Sequence, residues 1–288
     1  MTRARVSDRI ARYLLWACAV AVTVVITAIL VFVGREGLLT FTAVDPFTFF
    51  FSPVWDPPNH QFGALPFFLG SIAATAIALL IGAPLGLAGA IFMAKIAPPW
   101  LRGMLRQASN LFAGIPSVVY GYIGLTVLVP WIRGTLGGQG YGVLAAGIIL
   151  GIMILPTIIN TAEDAIQAVP GSLEEGSLGL GATRWQTIWN VILPAARPRI
   201  LAGIILAFAR AFGETTAVQM VIGNSPRVLT GLTTGTATLT SQIIMEMGQT
   251  PPGSTWNRAL FMMAFGLLVN SVLLILLVRW VSSRGVAR

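Results

Sequence analysis

Residues 169–198 read VPGSLEEGSLGLGATRWQTIWNVILPAARP. The stretch is too polar to lie in a bilayer, and it interrupts two long apolar runs. Ser172-Leu173-Glu174-Glu175 fits a capping box, in which the serine hydroxyl accepts from the backbone three residues on and the glutamate reaches back. Thr183-Arg184-Trp185-Gln186 fits a second. Gly179, Gly181 and Ala182 lie between them, where a chain can turn sharply, and Leu193-Pro194 stops the second helix. The pattern predicts a short helix, a tight turn and another short helix, standing out as a knob from one face of a membrane bundle.

The rest of the chain supplies that bundle. Of 288 residues, 56% are hydrophobic and 10% charged, against roughly 25% charged in a soluble domain. Burial in a globular core cannot absorb the difference, because a soluble protein must still cover its surface with polar groups. A bilayer removes that demand, and apolar runs of about 20 residues are its expected units. The net charge of +8 is spread singly or in small groups between apolar runs, with no basic patch of the kind that binds nucleic acid. One cysteine, Cys18, and one histidine, His60, allow neither a disulfide nor a Cys/His metal site within the chain. Cys18 reads as a small packing residue, His60 as a solvated loop residue, and no cofactor is implied.

The predicted fold class is all-α: a polytopic membrane protein with six transmembrane helices over about 13–33, 66–94, 107–132, 142–162, 198–222 and 260–281. The first run is too long for a signal-peptide core and lacks a small-residue cleavage site, so it reads as an uncleaved span. Six spans put both termini on one side. Thirteen Lys and Arg then fall in the N-terminus, the loop after the second span, the 169–198 loop and the C-terminus, against Arg35, Arg133, Arg227 and Arg258 on the other side. The positive-inside rule places both termini in the cytoplasm. The expected organisation is 1–65 for the N-terminal tail, first span and outer loop, 66–282 for the main transmembrane domain, and 283–288 for a cytoplasmic tail. Gly and Pro within the spans, such as Pro84 with Gly82 and Gly86, suit close helix packing or kinks on which a bundle rocks.

Arg210 and Glu214 fall inside the fifth predicted span. A charge at mid-helix costs roughly 2.5–3.5 kcal/mol on insertion scales, so it faces a cavity or a partner. At spacing i, i+4 the two are expected on one helical face. They either form a structural ion pair or line a polar path, with Arg210 attracting an anion and Glu214 tempering its grip. Ser71, Thr75, Ser117, Thr215 and Thr216 offer hydroxyls nearby, although such groups more often bond back to their own helix. Glu214 is the one carboxylate within a predicted span.

The knob either packs beneath its own bundle or is gripped by a separate motor, with Leu178, Leu180, Trp185 and Ile188 filling a groove. The spacing Glu175, Gly181, Val191, Leu193-Pro194 resembles the EAA loop of bacterial ABC importer permeases, while Gly176, Ser177 and Val191 depart conservatively from it. Phe62 to Pro66, Gly114 to Gly121, and Gly213 to Asn224 further resemble the phosphate-specific (Pst) permeases, towards their PstC-type subunit. The resemblance implies the type I ABC importer permease fold and a bacterial inner-membrane location. It implies that an ATP-binding subunit dimer docks on residues 172–193, with Glu175, Gly181, Ala182, Thr183, Arg184, Trp185, Leu193 and Pro194 in the coupling loop. It implies a second, PstA-like permease and an extracytoplasmic phosphate-binding protein as further partners, and a role in transport for Arg210 and Glu214.

The chain has no phosphate-binding G-x-x-x-x-G-K-[ST] loop and a single lysine, Lys95, so ATP belongs to another subunit. No nucleophile lies beside a base, which argues against an intramembrane enzyme. A secondary anion transporter is the rival from another class, although it would be expected to show more intramembrane carboxylates or an inverted repeat. An importer of sulfate or molybdate is the nearer rival.

Overall fold

The computed structural model describes residues 2–286, with side chains described from 11 to 281. Arg3, Arg5, Arg9 and Arg284 of the predicted charge pattern therefore have no described side chains, and Arg288 lies outside the described residues.

Helix α1 (Thr2–Leu38) leads to a short α2 (Pro46–Phe51) and a two-stranded hairpin, β1 (Trp55–Asp56) and β2 (Gln61–Phe62), with Trp55 opposite Phe62. Then come α3 (Leu65–Ile91), which runs into a π-turn at Phe92–Ile96, and α4 (Pro99–Gly114). Helix α5 (Ser117–Ile123) passes through a second π-turn, Gly124–Leu128, into α6 (Val129–Leu136). Helix α7 (Val143–Gln167) precedes the knob helices α8 (Gly171–Gly179) and α9 (Arg184–Thr187). A third π-turn, Ile188–Ile192, leads into α10 (Leu193–Phe212), followed by α11 (Thr216–Val221), α12 (Leu239–Glu246) and α13 (Thr255–Val286). Among the described residues the hairpin is the only sheet.

Five stretches are long and apolar enough to cross a membrane: Ala11–Thr42, Leu65–Ile96, Val143–Gln167, Arg184–Phe212 and Thr255–Val281. A sixth crossing is made if the bent pair Pro99–Gly114 and Ser117–Leu136 counts as one. The single span predicted over 107–132 is thus corrected to two helices meeting at 90°. Pro116 favours the break: Ile115 before it sits in the extended region (φ −66°, ψ 129°), the conformation to which a following proline biases a residue.

The fifth predicted span also shifts. Leu193-Pro194 does not end the second knob helix. The Leu193 N–H donates to the Ile188 carbonyl five residues back, a wide turn just ahead of Pro194. The ring gains room there, and the missing N–H falls where the ladder is already interrupted. The helix therefore runs from the knob into the bundle and ends at Phe212 rather than 222.

The core is built of several apolar clusters along the bundle. At its centre α3 and α7 pack so closely that a Cβ on Gly147 would stand 2.5 Å from the Ile77 side chain. Around this contact gather Ala74, Ala78, Ile154, Ile158, Ala207 and Val221. The knob end is closed by Ile166, Ile188, Ile192 and Ile200; the opposite end holds Phe49, Trp55, Phe67, Leu239 and Met263. Helix α1 leans on α13 through Phe32 and Phe261, edge to face at 5.6 Å. Most of α1 is otherwise exposed, Cys18 included, which corrects its reading as a packing residue. Such an apolar, uncovered helix suits contact with lipid.

Candidate functional site

The first knob helix begins two residues earlier than the predicted cap at Ser172 implies. Pro170 precedes the first turn of α8 and no side chain caps it, so Ser172 lies inside the helix and the first capping box does not form. The second does: the Thr183 hydroxyl accepts from the Gln186 N–H at 3.3 Å, and Gln186 Oε1 accepts from the Thr183 N–H at 2.9 Å. Between them Gly181 adopts φ +87°. The Ala182 N–H reaches the Ser177 carbonyl and the Gly181 N–H the Leu178 carbonyl, the paired bonds of a Schellman ending, which favours glycine at this position. Ser177 and Thr187 hydroxyls, 3.0 Å apart, tie the two helices together. Lys95 Nζ, 2.6 Å from Glu174 Oε2, ties α8 to the end of α3.

One face of the knob is left uncovered. Leu180 is 91% exposed and Trp185 58%; Leu173, Leu178 and Trp189 join them, with Trp189 edge-on to Trp185 at 5.6 Å. Ile188, expected in this set, is buried against the bundle instead. Glu175 and Arg184 stand exposed beside the patch. Large apolar side chains on a compact polar knob form a surface suited to helix-in-groove docking.

Arg210 lies in the last turn of α10, where the carbonyl end of a helix favours a cation. Its Nη1 donates to Thr157 Oγ1 on α7 at 3.2 Å, and Tyr120 lies within its electrostatic reach. The expected shared face with Glu214 does not exist. The helix ends at Phe212, so Glu214 falls in the break before α11. There its Oε1 accepts from the Ala217 N–H at 3.4 Å, and its backbone carbonyl accepts from Thr240 Oγ1 at 3.0 Å. Arg210 and Glu214 form no ion pair among the described residues. The Arg210 side chain is exposed on the flank of the single chain. Thr75, as expected of a membrane hydroxyl, bonds back to the Ser71 carbonyl.

Two carboxylates escaped the sequence reading. Glu163 lies in the last turns of α7, just past the predicted span, and is 0% exposed. Arg102 Nε stands 2.8 Å from its Oε1 and Arg106 Nη1 3.4 Å from its Oε2, while Gln167 Nε2 donates to Oε1 at 2.7 Å. Arg106 also reaches Asp164 Oδ1 at 2.8 Å. At the opposite end Glu246 accepts from both Trp55 Nε1 (3.0 Å to Oε2) and Trp256 Nε1 (2.7 Å), with Gln242 as a third donor. Burial pushes its carboxyl above the ordinary carboxylate range, and these donors counter the rise. The sequence hint for Glu163 was the pair Arg102/Arg106, spaced four apart like neighbours on a helix. No local signal joins Trp55 to Glu246.

A family model described as "Binding-protein-dependent transport system inner membrane component" matches residues 82–284. The chain is 50% identical over 279 residues to the probable ABC transporter permease protein YqgH of Bacillus subtilis, covering 95% of this chain and 90% of that one. It is 35% identical over 266 residues to the phosphate transport system permease protein PstC of Xylella fastidiosa, covering 85% and 80%. In three dimensions it resembles a chain of the MetNI methionine ABC transporter in an inward-facing conformation. That match has a TM-score of 0.56 at 21% identity and covers 77% of this chain and 94% of the other. A chain of a bacterial ABC transporter that imports alginate matches with a TM-score of 0.55 at 16% identity, covering 98% of both.

Proposed function

The chain belongs to the binding-protein-dependent transport system inner membrane components, and on that premise we propose that it is the transmembrane permease subunit of an ATP-driven importer of inorganic phosphate. The observation that carries the substrate is its likeness, over most of its length, to permeases named for phosphate transport. ATP hydrolysis belongs to a partner subunit. The complete complex comprises this chain, a second PstA-like permease, two ATPase subunits and an external phosphate-binding protein. The termini and the knob face the cytoplasm of a bacterial cell, and the Trp55–Glu246 end faces outward.

The path is lined by Arg210, whose guanidinium can hold a phosphate oxygen in a charge-assisted bond. Glu214 brings negative charge to the break just past it and so limits how tightly the anion is held. The knob is the coupling loop: Glu175, Gly181, Ala182, Thr183, Arg184 and Trp185 face the motor, while Leu193 and Pro194 begin the stem. The helical stretch Arg184–Phe212, which passes through the π-turn at Ile188–Ile192, supports this mechanism. Its 29 residues make a rod about 43 Å long at 1.5 Å per residue, with Trp185 near one end and Arg210 near the other. Closure of the ATPase dimer on the knob therefore displaces the arginine directly, and the cavity switches from outward to inward.

The test is uptake of radiolabelled phosphate into proteoliposomes holding the reconstituted complex, with ATP inside and loaded binding protein outside. Uptake should require ATP and resist competition by sulfate and molybdate. Uptake without ATP would favour a secondary anion transporter, and preferred uptake of sulfate or molybdate would reassign the substrate.

A further inference from the structure

Helix α7 carries Thr157, Asn160, Glu163 and Asp164 at helical spacing, one polar edge on an otherwise apolar span. Each finds a partner on another helix. Thr157 accepts from Arg210 of α10 at 3.2 Å, and Asn160 donates to Asn110 of α4 at 3.0 Å. Glu163 receives Arg102 and Arg106 of α4, and Asp164 receives Arg106. Three residues beyond Gln167 stands Pro170, and α8 begins at Gly171. The knob is thus continuous in chain with the carboxylate that holds α4. Helix α4 in turn ends at the 90° break before α5, a corner closed by the Tyr120 hydroxyl donating to the Phe112 carbonyl at 2.9 Å.

From this placement we infer that Glu163 is a positioning residue: with Arg102 and Arg106 it passes displacement of the knob through α4 to the bent helix pair. It does not touch the transported ion. The physical ground is that a carboxylate with no solvent exposure cannot leave its arginines for water. When the end of α7 moves with α8, α4 must follow. Single hydrogen bonds between exposed side chains would slip instead. The Lys95–Glu174 bridge, at 18% and 37% exposure, gives the knob a second and looser tie to α3. The inference rests on the reading of the chain as an ATP-coupled permease, whichever oxyanion it carries.

A pair that merely held α4 in place would change stability or assembly. It would leave untouched the amount of ion moved per ATP hydrolysed. That ratio is the readout, measured on the full complex in proteoliposomes. Glu163→Gln is expected to lower it at least tenfold while ATP hydrolysis persists, and Glu163→Asp is expected to recover part of it. Should Glu163→Gln fail to assemble, Arg102→Gln decides. It removes a side chain that is 34% exposed and leaves Glu163 with Arg106 and Gln167, and it is expected to lower the ratio at least threefold. An assembled variant with a wild-type ratio overturns the inference. Spin labels at exposed Leu111 of α4 and exposed Val25 of α1, both outside the docking patch, add a measurement independent of substrate. The distance change driven by ATP should shrink by half or more in the same variant. An unchanged response would equally overturn the inference. A wild-type complex that moves sulfate in place of phosphate would count against the phosphate reading alone, since the ratio can be compared for either ion.

Discussion

The Arg210 guanidinium donates to Thr157 Oγ1 at 3.2 Å, while Glu214, four residues on, turns away to accept from the Ala217 N–H that opens α11. The charges are separated by the end of a helix, so the arginine is held by a neutral hydroxyl and keeps its charge available to an anion.

Arg210→Gln keeps a donor for Thr157 and removes the charge. Phosphate uptake should fall about a hundredfold, the scale of losing a charged hydrogen bond worth up to about 3 kcal/mol. Copurification with the other subunits should be unchanged. Normal uptake by the variant would remove Arg210 from the path.

The uncovered patch on the knob should behave as a docking hot spot. Trp185→Ala is expected to weaken capture of the ATPase subunit by about 2 kcal/mol, roughly thirtyfold in Kd, in a titration monitored by biolayer interferometry. Gly181→Ala places a Cβ at φ +87°, at a cost of about 1–2 kcal/mol, and should weaken capture without removing any contact residue. Unaltered capture by both variants would move the motor's grip elsewhere.

Glu246 supplies a pH signature. Its carboxyl is raised above the ordinary range, mainly by burial, so the folded protein holds this proton more tightly than the unfolded chain. Stability from this group is full below the ordinary carboxylate pKa and is lost as pH rises through the raised value. Melting temperature should therefore climb as pH falls from neutral into that window. In Glu246→Gln this part of the slope should vanish; identical slopes in the two proteins would refute the assignment.

Gly147 sets the closest approach in the bundle. A methyl there would stand 2.5 Å from Ile77 and 3.1 Å from the Ala74 carbonyl, so α3 and α7 must separate. Gly147→Ala should destabilise the protein by about 1–3 kcal/mol, seen as a lower melting temperature in detergent.

What the sequence alone determined was local in origin. Apolar runs of bilayer length placed the crossings predicted over 66–94, 142–162 and 260–281 to within about five residues at each end. The Thr183–Gln186 box and the Gly181 turn formed as read, because caps and left-handed turns are decided by residues three or four apart. Pro116 and Pro194 show the limit of that logic. Each is a proline in an apolar stretch, yet the first breaks its span and the second is absorbed by a π-turn. The outcome depends on whether neighbouring backbone can shift to accept the ring, which no short window contains.

Tertiary structure alone decided the pairings. The ties from Glu163 to Arg102, across 61 residues, and from Glu246 to Trp55, across 191, arise because a buried carboxylate must be satisfied by whatever donors the fold brings within reach. The separation of Arg210 from Glu214 likewise follows from where α10 runs out. A charge in a membrane span announces in sequence that it needs a partner; only the packing of the helices chooses which one.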